Sequence, residues 1–584
     1  MKRLFPFLLI FIITVPAFIR LINSAYFSMH DDQHIVRLFL LDEGIRQGRL
    51  YPRWVEGLGF GFGYPLFNFY PPLVYYLALI FHRSGFSLIW SIKLVFITGF
   101  YVGALGIYFF TTKLRGKLAG FLSATMYTYF FYHAVIIYVR GALAEFFSMG
   151  LFPFVFLALL NLSQKVKMKN SLLLGISFAL LILTHPLIAF SSLFYIGFFF
   201  LFFVNTHETK LRYTLYTAYG FVIGLLFSAF FWLPSLVERH YTLVDDILTK
   251  ELANYKIHYI YLQQFWYSLW GYGGSIAGHY DGMTFQLGKI PIGLTIISIV
   301  LFIIVAIKKL FTGSSSIQIK QIKYYTLFLF LLFFSLFMTT SYSAFIWDNI
   351  RYLWYLQFPW RFLTFAGFFI AVVSGYTLYF FNIIWHSAYS RSVQRFITLF
   401  LISAIIIMYQ KYFTPQKLLW TDDLRLTTQE EITWRVSRSS FEFVPKGIAT
   451  TQSDIGTTIV AIDKNQRPQK PYEIISGKVE ITMLKNNFSE KKFRVNAVSP
   501  TTLRLNTFYF PGWHAYVDNQ QIVINNLNKY KLITITIPDG IHQVRFVFQD
   551  TIIRKLANIM SAFAFLIIIA YTSFILFIRN KSRL

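Results

Sequence analysis

The sequence predicts an all-α polytopic membrane bundle of about twelve transmembrane helices carrying a C-terminal extracytoplasmic β-sandwich-like domain. Three observations lead there. Of 584 residues, 56% are hydrophobic, 20% aromatic and only 14% charged. The apolar residues gather into runs of about 17 to 25, the length that crosses roughly 30 Å of hydrocarbon at about 1.5 Å per residue. Basic residues fall in short clusters between those runs, and from about Thr414 to Gln549 the texture changes to a period of two. This composition excludes an ordinary soluble enzyme and a disordered chain.

In chain order the expected spans are 4–22, 88–111, 118–138, 145–162, 171–187, 188–204, 213–233, 290–307, 324–341, 361–382, 396–412 and 556–578. Lys2 and Arg3 before the first run give it the look of a signal peptide. No small-residue cleavage site follows, so it reads as a retained span. The positive-inside rule places Lys113, Arg115 and Lys117, then Lys165, Lys167 and Lys169, then Lys210 and Arg212, on the cytoplasmic side. Lys308 and Lys309, Arg391 and Arg395, and Arg579, Lys581 and Arg583 follow them, so both termini are expected in the cytoplasm. The net charge of +27, from 53 Lys and Arg against 26 Asp and Glu, is thereby explained by topology, with no nucleic-acid partner. With no cysteine there is no disulfide and no thiolate nucleophile, and neither GxGxxG nor a Walker motif occurs.

Tyr70 to Phe86 is apolar enough to cross, but counting it would reverse every later loop and put three basic clusters outside. It is therefore expected to lie along or dip into the outer interface. The first external loop then runs over about residues 23–87, with HDDQH and an interfacial helix from His34 to Gln47 showing Ile35, Leu38, Phe39 and Ile45 on one face. Other external segments are 235–288 and 342–360. Residues 1–413 form the membrane domain, 414–552 the β-rich domain and 553–584 a terminal anchor. LITITIP and HQVRFVFQ alternate as strands, and VDNQQIVI reads as a hairpin.

The ionisable residues at the outer ends of the spans are the candidate site. Asp31 and Asp32, beside His30, suit helix capping or a base at the membrane surface. Arg140 and Glu145 suit an ion pair fixing a turn, or a phosphate ligand with a carboxylate on sugar or acceptor. His185 before Pro186 suits a packed neutral histidine or a ligand, and Glu238 an interfacial anchor or a pocket acid. Trp347, Arg351, Trp360 and Arg361 suit a lipid phosphate with its sugar, or an aromatic belt with interfacial arginines. All of these groups fall on one face by parity, whereas a proton-coupled transporter would place acids near the midplane.

In its order of parts the sequence resembles the GT-C superfamily of membrane glycosyltransferases. Within it, HDDQH, GRLYPRW, GFGYPLFNFYPPL, YVRGALAEFF, THP, FFWLPSLVE, LQFPWRFL and FYFPGWHAYVDNQ resemble the YfhO-like bacterial membrane proteins, some labelled pyruvoyl-tetrahydropterin synthase-related. No soluble pterin-synthase core is present, so that label carries no chemistry. The resemblance implies an enzyme of the bacterial plasma membrane with an extracytoplasmic active site. Its partners would be a polyprenyl-phosphate-linked sugar donor, a glycan or lipid acceptor and membrane lipids. It implies Asp31 or Asp32 as general base, Glu145 as a second acid, Arg140 and Arg361 for donor phosphate, and His185 and Glu238 in the pocket. It leaves room for a divalent cation (Mg or Mn) without requiring one, since no second-loop DxD is present. A lipid or glycan transporter and a non-catalytic assembly protein are the rival readings.

Overall fold

The computed structural model describes residues 4–250, 253–312, 319–385, 390–453 and 457–581. Lys2, Arg3 and Arg583, used above for topology, lie outside the described residues. The chain forms two compact units that are not contiguous in sequence. One holds Met1–Asp32, Ile92–Leu225 and Asn254–Trp420; the other holds Gln33–Ser91, Leu226–Ala253 and Thr421–Leu584.

By length and composition, eight helices among the described residues can cross a membrane, or ten when each of two bent pairs counts as one span. The expected spans 4–22 and 171–187 correspond to the shorter apolar helices Phe5–Leu21 and Met168–Thr184. The expected third span is bent by 45° between Lys117–Thr128 and Phe131–Arg140. Leu73–Arg83 has 11 residues and so rises only about 16 Å, half the hydrocarbon thickness.

In the first unit, Leu143–Gln164 and Pro359–Ile384 are the most enclosed spans. Aromatic rings knit the second of these to its neighbours: Phe365 lies 5.0 Å from Phe152 and 4.3 Å from Tyr195, and Phe368 lies 5.4 Å from Phe156. Helix Leu88–Arg115 approaches Leu143–Gln164 at backbone distance. A Cβ on Gly103 would meet the Gly150 Cα at 3.2 Å, and one on Gly150 would meet the Gly99 carbonyl at 3.1 Å. Small residues four apart allow that approach where lipid supplies no hydrophobic drive between helices. It fixes the helix that carries Glu145.

The second unit contains the β domain. A five-stranded antiparallel sheet runs in the order Gln520–Ile522, Trp513–Val517, Gly540–Phe548, Glu490–Ala497 and Val479–Asn487; a three-stranded sheet orders Leu532–Ile537, Thr501–Phe508 and Tyr472–Ser476. Alternate residues Phe493, Val495, Ala515, Val544 and Phe546 of the first sheet and Leu503, Leu505, Ile535 and Ile537 of the second are buried. The expected hairpin is present: Asp518 and Asn519, at φ +48° and +69°, turn Trp513–Val517 into Gln520–Ile522. Positive φ at both central residues matches the right-handed strand twist and suits Asp and Asn.

Helix His34–Arg46 is not amphipathic with a single buried face; His34, Val36, Arg37, Leu40, Asp42 and Gly44 are buried as well as Ile35 and Leu38. The reason is packing within the second unit. Arg37 sits 3.8 Å from the Tyr70 ring centroid and donates to Ser440 Oγ at 3.0 Å, and Gln47 accepts from the Phe488 N–H at 2.8 Å.

Candidate functional site

The first unit brings Arg140, Glu145, Trp360 and Arg361 into one buried cluster. Val135–Arg140 is a π-helical turn, closed by Gly141 in the left-handed conformation at φ +65°. A side chain at Gly141 would also strike Met29, whose Cβ lies 2.6 Å from where its Cβ would be. Glycine is therefore required twice over, and the chain turns directly into Leu143–Gln164 with Glu145 in its first turn.

Glu145 is 1% exposed. Its Oε1 accepts from the Tyr132 hydroxyl at 2.7 Å, and its Oε2 accepts from Arg140 Nη1 at 2.7 Å and Arg361 Nε at 3.2 Å. Arg361 Nη1 also donates to the Leu356 carbonyl at 2.6 Å and to Gln357 Oε1 at 3.4 Å. Arg140 lies 4.8 Å from the Trp360 ring centroid, and Trp360 stacks on Phe358 at 4.6 Å. One carboxylate thus faces two guanidiniums. Among the described residues, Arg140 Nε and Nη2 and Arg361 Nη2 have no protein acceptor, and the buried Trp360 Nε1 has none either. What the protein leaves unused here is a set of donors, the complement of an acceptor-only anion such as phosphate.

Gln357 sits beside Arg361 at φ +64°, ψ −44°, and the Phe358 N–H donates across it to the Leu356 carbonyl at 2.6 Å. That is a γ-turn of the rare, strained hand. Strain of this kind survives only where the surroundings enforce it, and it concentrates at functional sites.

The first-loop acids approach through the backbone. The His30 and Asp31 N–H groups donate to the Val139 and Arg140 carbonyls at 3.1 and 2.8 Å. Asp31, half-buried, lies within electrostatic reach of both arginines. His30 is exposed and its Nε2 pairs with the Tyr272 carbonyl at 2.9 Å; Asp32 is half-buried. Gln33, with no side-chain cap bond, occupies the cap position of the following helix. His185 caps Pro186–Thr206, its Nδ1 accepting from the Ile188 N–H at 3.2 Å, so its proton sits on Nε2. It remains within electrostatic reach of Glu145 and both arginines.

Two candidates lie elsewhere. Arg351 is exposed over Trp354, 5.7 Å from the ring centroid. Glu238 belongs to a buried network in the second unit: its Oε2 accepts from Arg554 Nε at 2.9 Å and Asn68 Nδ2 at 2.8 Å, and its Oε1 accepts from Thr551 at 2.7 Å. That network ties Ala229–Glu238 to Ile552–Lys581. Conversely, Tyr132 and Gln357 join the cluster without having been sequence candidates.

No group of three or more His, Asp or Glu placed to hold an ion exists among the described residues, and both Glu145 oxygens are already bonded.

The chain is similar to the arabinofuranosyltransferase AftD from Mycobacteria at 10% identity and a TM-score of 0.43, over 71% of this chain and 27% of that one. It is similar to the oligosaccharyltransferase AglB from Archaeoglobus fulgidus, in complex with an inhibitory peptide and a dolichol-phosphate, at 12% identity and 0.40, over 71% and 56%. ArnT from Cupriavidus metallidurans, bound to undecaprenyl phosphate, gives 10% and 0.28 over 64% and 77%. The chain therefore spans about a quarter of the AftD chain's length. No curated protein matches the chain. A family model described as 6-pyruvoyl-tetrahydropterin synthase related domain, membrane protein, matches residues 67–416, more than half of the sequence, and the chain belongs to that family.

Proposed function

We propose that this membrane protein is a glycosyltransferase that moves a sugar from a polyprenyl-phosphate donor to a cell-surface glycan, lipid or protein acceptor. The reaction takes place on the extracytoplasmic side of a bacterial plasma membrane, with both termini cytoplasmic. The single observation that carries the reading is the unused donor set of Arg140, Arg361 and Trp360 around one carboxylate. The distant structural likenesses carry none of it; the sequence resemblance points the same way.

In this reading the acceptor oxygen attacks the anomeric carbon, and the bond from that carbon to the phosphate oxygen breaks, its electron pair passing to the phosphate. The acceptor proton goes to Asp31. Direct attack inverts the configuration. The phosphate changes from a singly charged diester to a doubly charged monoester while Asp31 changes from charged to neutral, so total charge is conserved. The two guanidiniums and the indole N–H stabilise the charge that grows on the phosphate, in a site poor in water where such donors act strongly. Glu145, with both oxygens committed, positions the arginines and transfers no proton. His185 and Trp360 flank the donor.

Native mass spectrometry of the protein in nanodiscs with undecaprenyl phosphate tests the reading. Retention of the lipid by wild type and by Asp31→Asn, with loss of at least tenfold in Arg140→Gln and Arg361→Gln, is the expected result. Equal retention by all four proteins would count against it.

A further inference from the structure

The second unit contains a cavity of about 330 Å³ between the first-loop segment and the β domain, within the size range of small-ligand sites, about 300 to 1,000 Å³. We propose that it binds a neutral, hydroxyl-rich saccharide. On the reading given above, which this assignment extends, that saccharide is the acceptor glycan.

Asn506 lines the cavity and is 5% exposed. Its Nδ2 donates to the Lys470 carbonyl at 2.9 Å and to Glu473 Oε1 at 3.2 Å. Both partners are acceptors, so the amide orientation is fixed and Oδ1 is the acceptor end. Oδ1 is buried and has no partner among the described residues. A buried acceptor left without a donor is costly, and a ligand hydroxyl satisfies it.

The charges on the wall balance. Lys491, 3% exposed, gives its ammonium to Glu56 Oε1 and Asn486 Oδ1, with the Asn487 carbonyl at 3.5 Å. That leaves its donors spent. Glu43 and Lys470 are the other two charged residues of the lining. An anionic ligand would meet no surplus cation. The buried open valence is an acceptor, Asn506 Oδ1, joined by Glu56 Oε2 and the Glu43 oxygen that Gln47 leaves free, while Lys470, Gln429 and Gln469 bring donors to the lining. Phe39, Phe62 and Phe488 give the lining apolar faces for the C–H side of a pyranose. A charge-balanced, partly aromatic wall that holds a buried open acceptor and donors beside it suits a polyol ring, whose hydroxyls both donate and accept.

Saturation-transfer NMR on the full-length protein in nanodiscs tests this, with neutral trisaccharides of glucose, mannose and galactose as probes and a glucuronic acid disaccharide as the anionic counterpart. Two variants accompany wild type. Asn506→Leu removes the unpartnered acceptor. Gln429→Trp places bulk at an exposed lining position and leaves the core untouched. Transfer to ring protons of at least one neutral probe, falling tenfold or more in both variants, is the expected result. Absence of transfer from every neutral probe, preference for the anionic one, or wild-type binding by Gln429→Trp would overturn the assignment. Turnover of donor lipid without saccharide binding would remove the cavity proposal and leave the transfer reaction standing; binding without turnover would do the reverse.

Discussion

Replacing Glu145 with glutamine keeps its shape and removes the charge that two guanidiniums share. Arg140 Nη1 and Arg361 Nε lie 2.7 and 3.2 Å from the same oxygen. Those nitrogens are therefore no more than about 6 Å apart, which at an effective dielectric near 20 leaves about 3 kcal/mol of repulsion once the carboxylate charge is gone. The new amide must also turn its N–H groups toward Tyr132 or toward an arginine, orphaning a buried donor for roughly another 1 kcal/mol. A loss of about 4 kcal/mol follows, in the range known for breaking one partner out of a buried ion pair. The assay is a double-mutant cycle by equilibrium unfolding in mixed micelles, using Glu145→Gln, Arg140→Gln and the double variant. The double variant should be less destabilised than the two singles together by about 2 kcal/mol or more. Inorganic phosphate should restore part of the stability of Glu145→Gln, because an anion can take the place of the missing charge. A Glu145→Gln protein within about 0.5 kcal/mol of wild type, or strict additivity in the cycle, would refute the shared-carboxylate argument.

Three other outcomes are expected. Gln357→Gly relieves the strained γ-turn and should raise stability by about 1 kcal/mol, while turnover falls because Arg361 loses its Gln357 contact; unfolding curves and donor-lipid turnover check the two halves. Glu238→Gln uncouples the fully buried Arg554 and should cost about 3 to 5 kcal/mol, yet leave turnover per folded molecule unchanged. In the β domain, the hydrogen bond to Asp518 raises the His542 pKa, so the pair's stabilisation is complete below the ordinary histidine value of about 6.5 and fades as pH rises through the raised one. Asp518 is held low by the Gln543 N–H and then by His542, so its own contribution is lost only as pH falls through that lowered value. Melting temperature should therefore decline from pH 6 toward pH 8 in wild type and be flatter over that interval in Asp518→Asn.

Local chemistry was legible in the sequence where the signal is local. VDNQQIVI announced a hairpin, and the hairpin is there, turning at Asp518 and Asn519. Arg140 and Glu145, five residues apart at the end of an apolar run, offered an ion pair as one of two readings, and the two side chains do pair. Arg361 reaches the same oxygen from 216 residues away, a pairing that periodicity does not encode. Tyr132 was hidden among 38 tyrosines, since only the fold decides which hydroxyl meets a carboxylate. Gln357 carries no mark of its positive φ, a conformation that glycine or asparagine would have advertised. The one-sided reading of His34–Arg46 failed because the polar stripe that looked solvated includes Arg37, which the second unit encloses with Tyr70 and Ser440. Glu238 read as a lone acid because its partner Arg554 comes 316 residues later.

The central claim is that Arg140 and Arg361 take a phosphate whose sugar leaves as Asp31 takes a proton. Release of polyprenyl phosphate from a panel of undecaprenyl-phosphate sugars, by the purified protein in lipid, tests it most directly. Release by wild type is expected, with a fall of about 100-fold or more in Asp31→Asn and donor binding retained. Release by Asp31→Asn at the wild-type rate, or donor lipid that stays bound and intact with every sugar and acceptor, would contradict it.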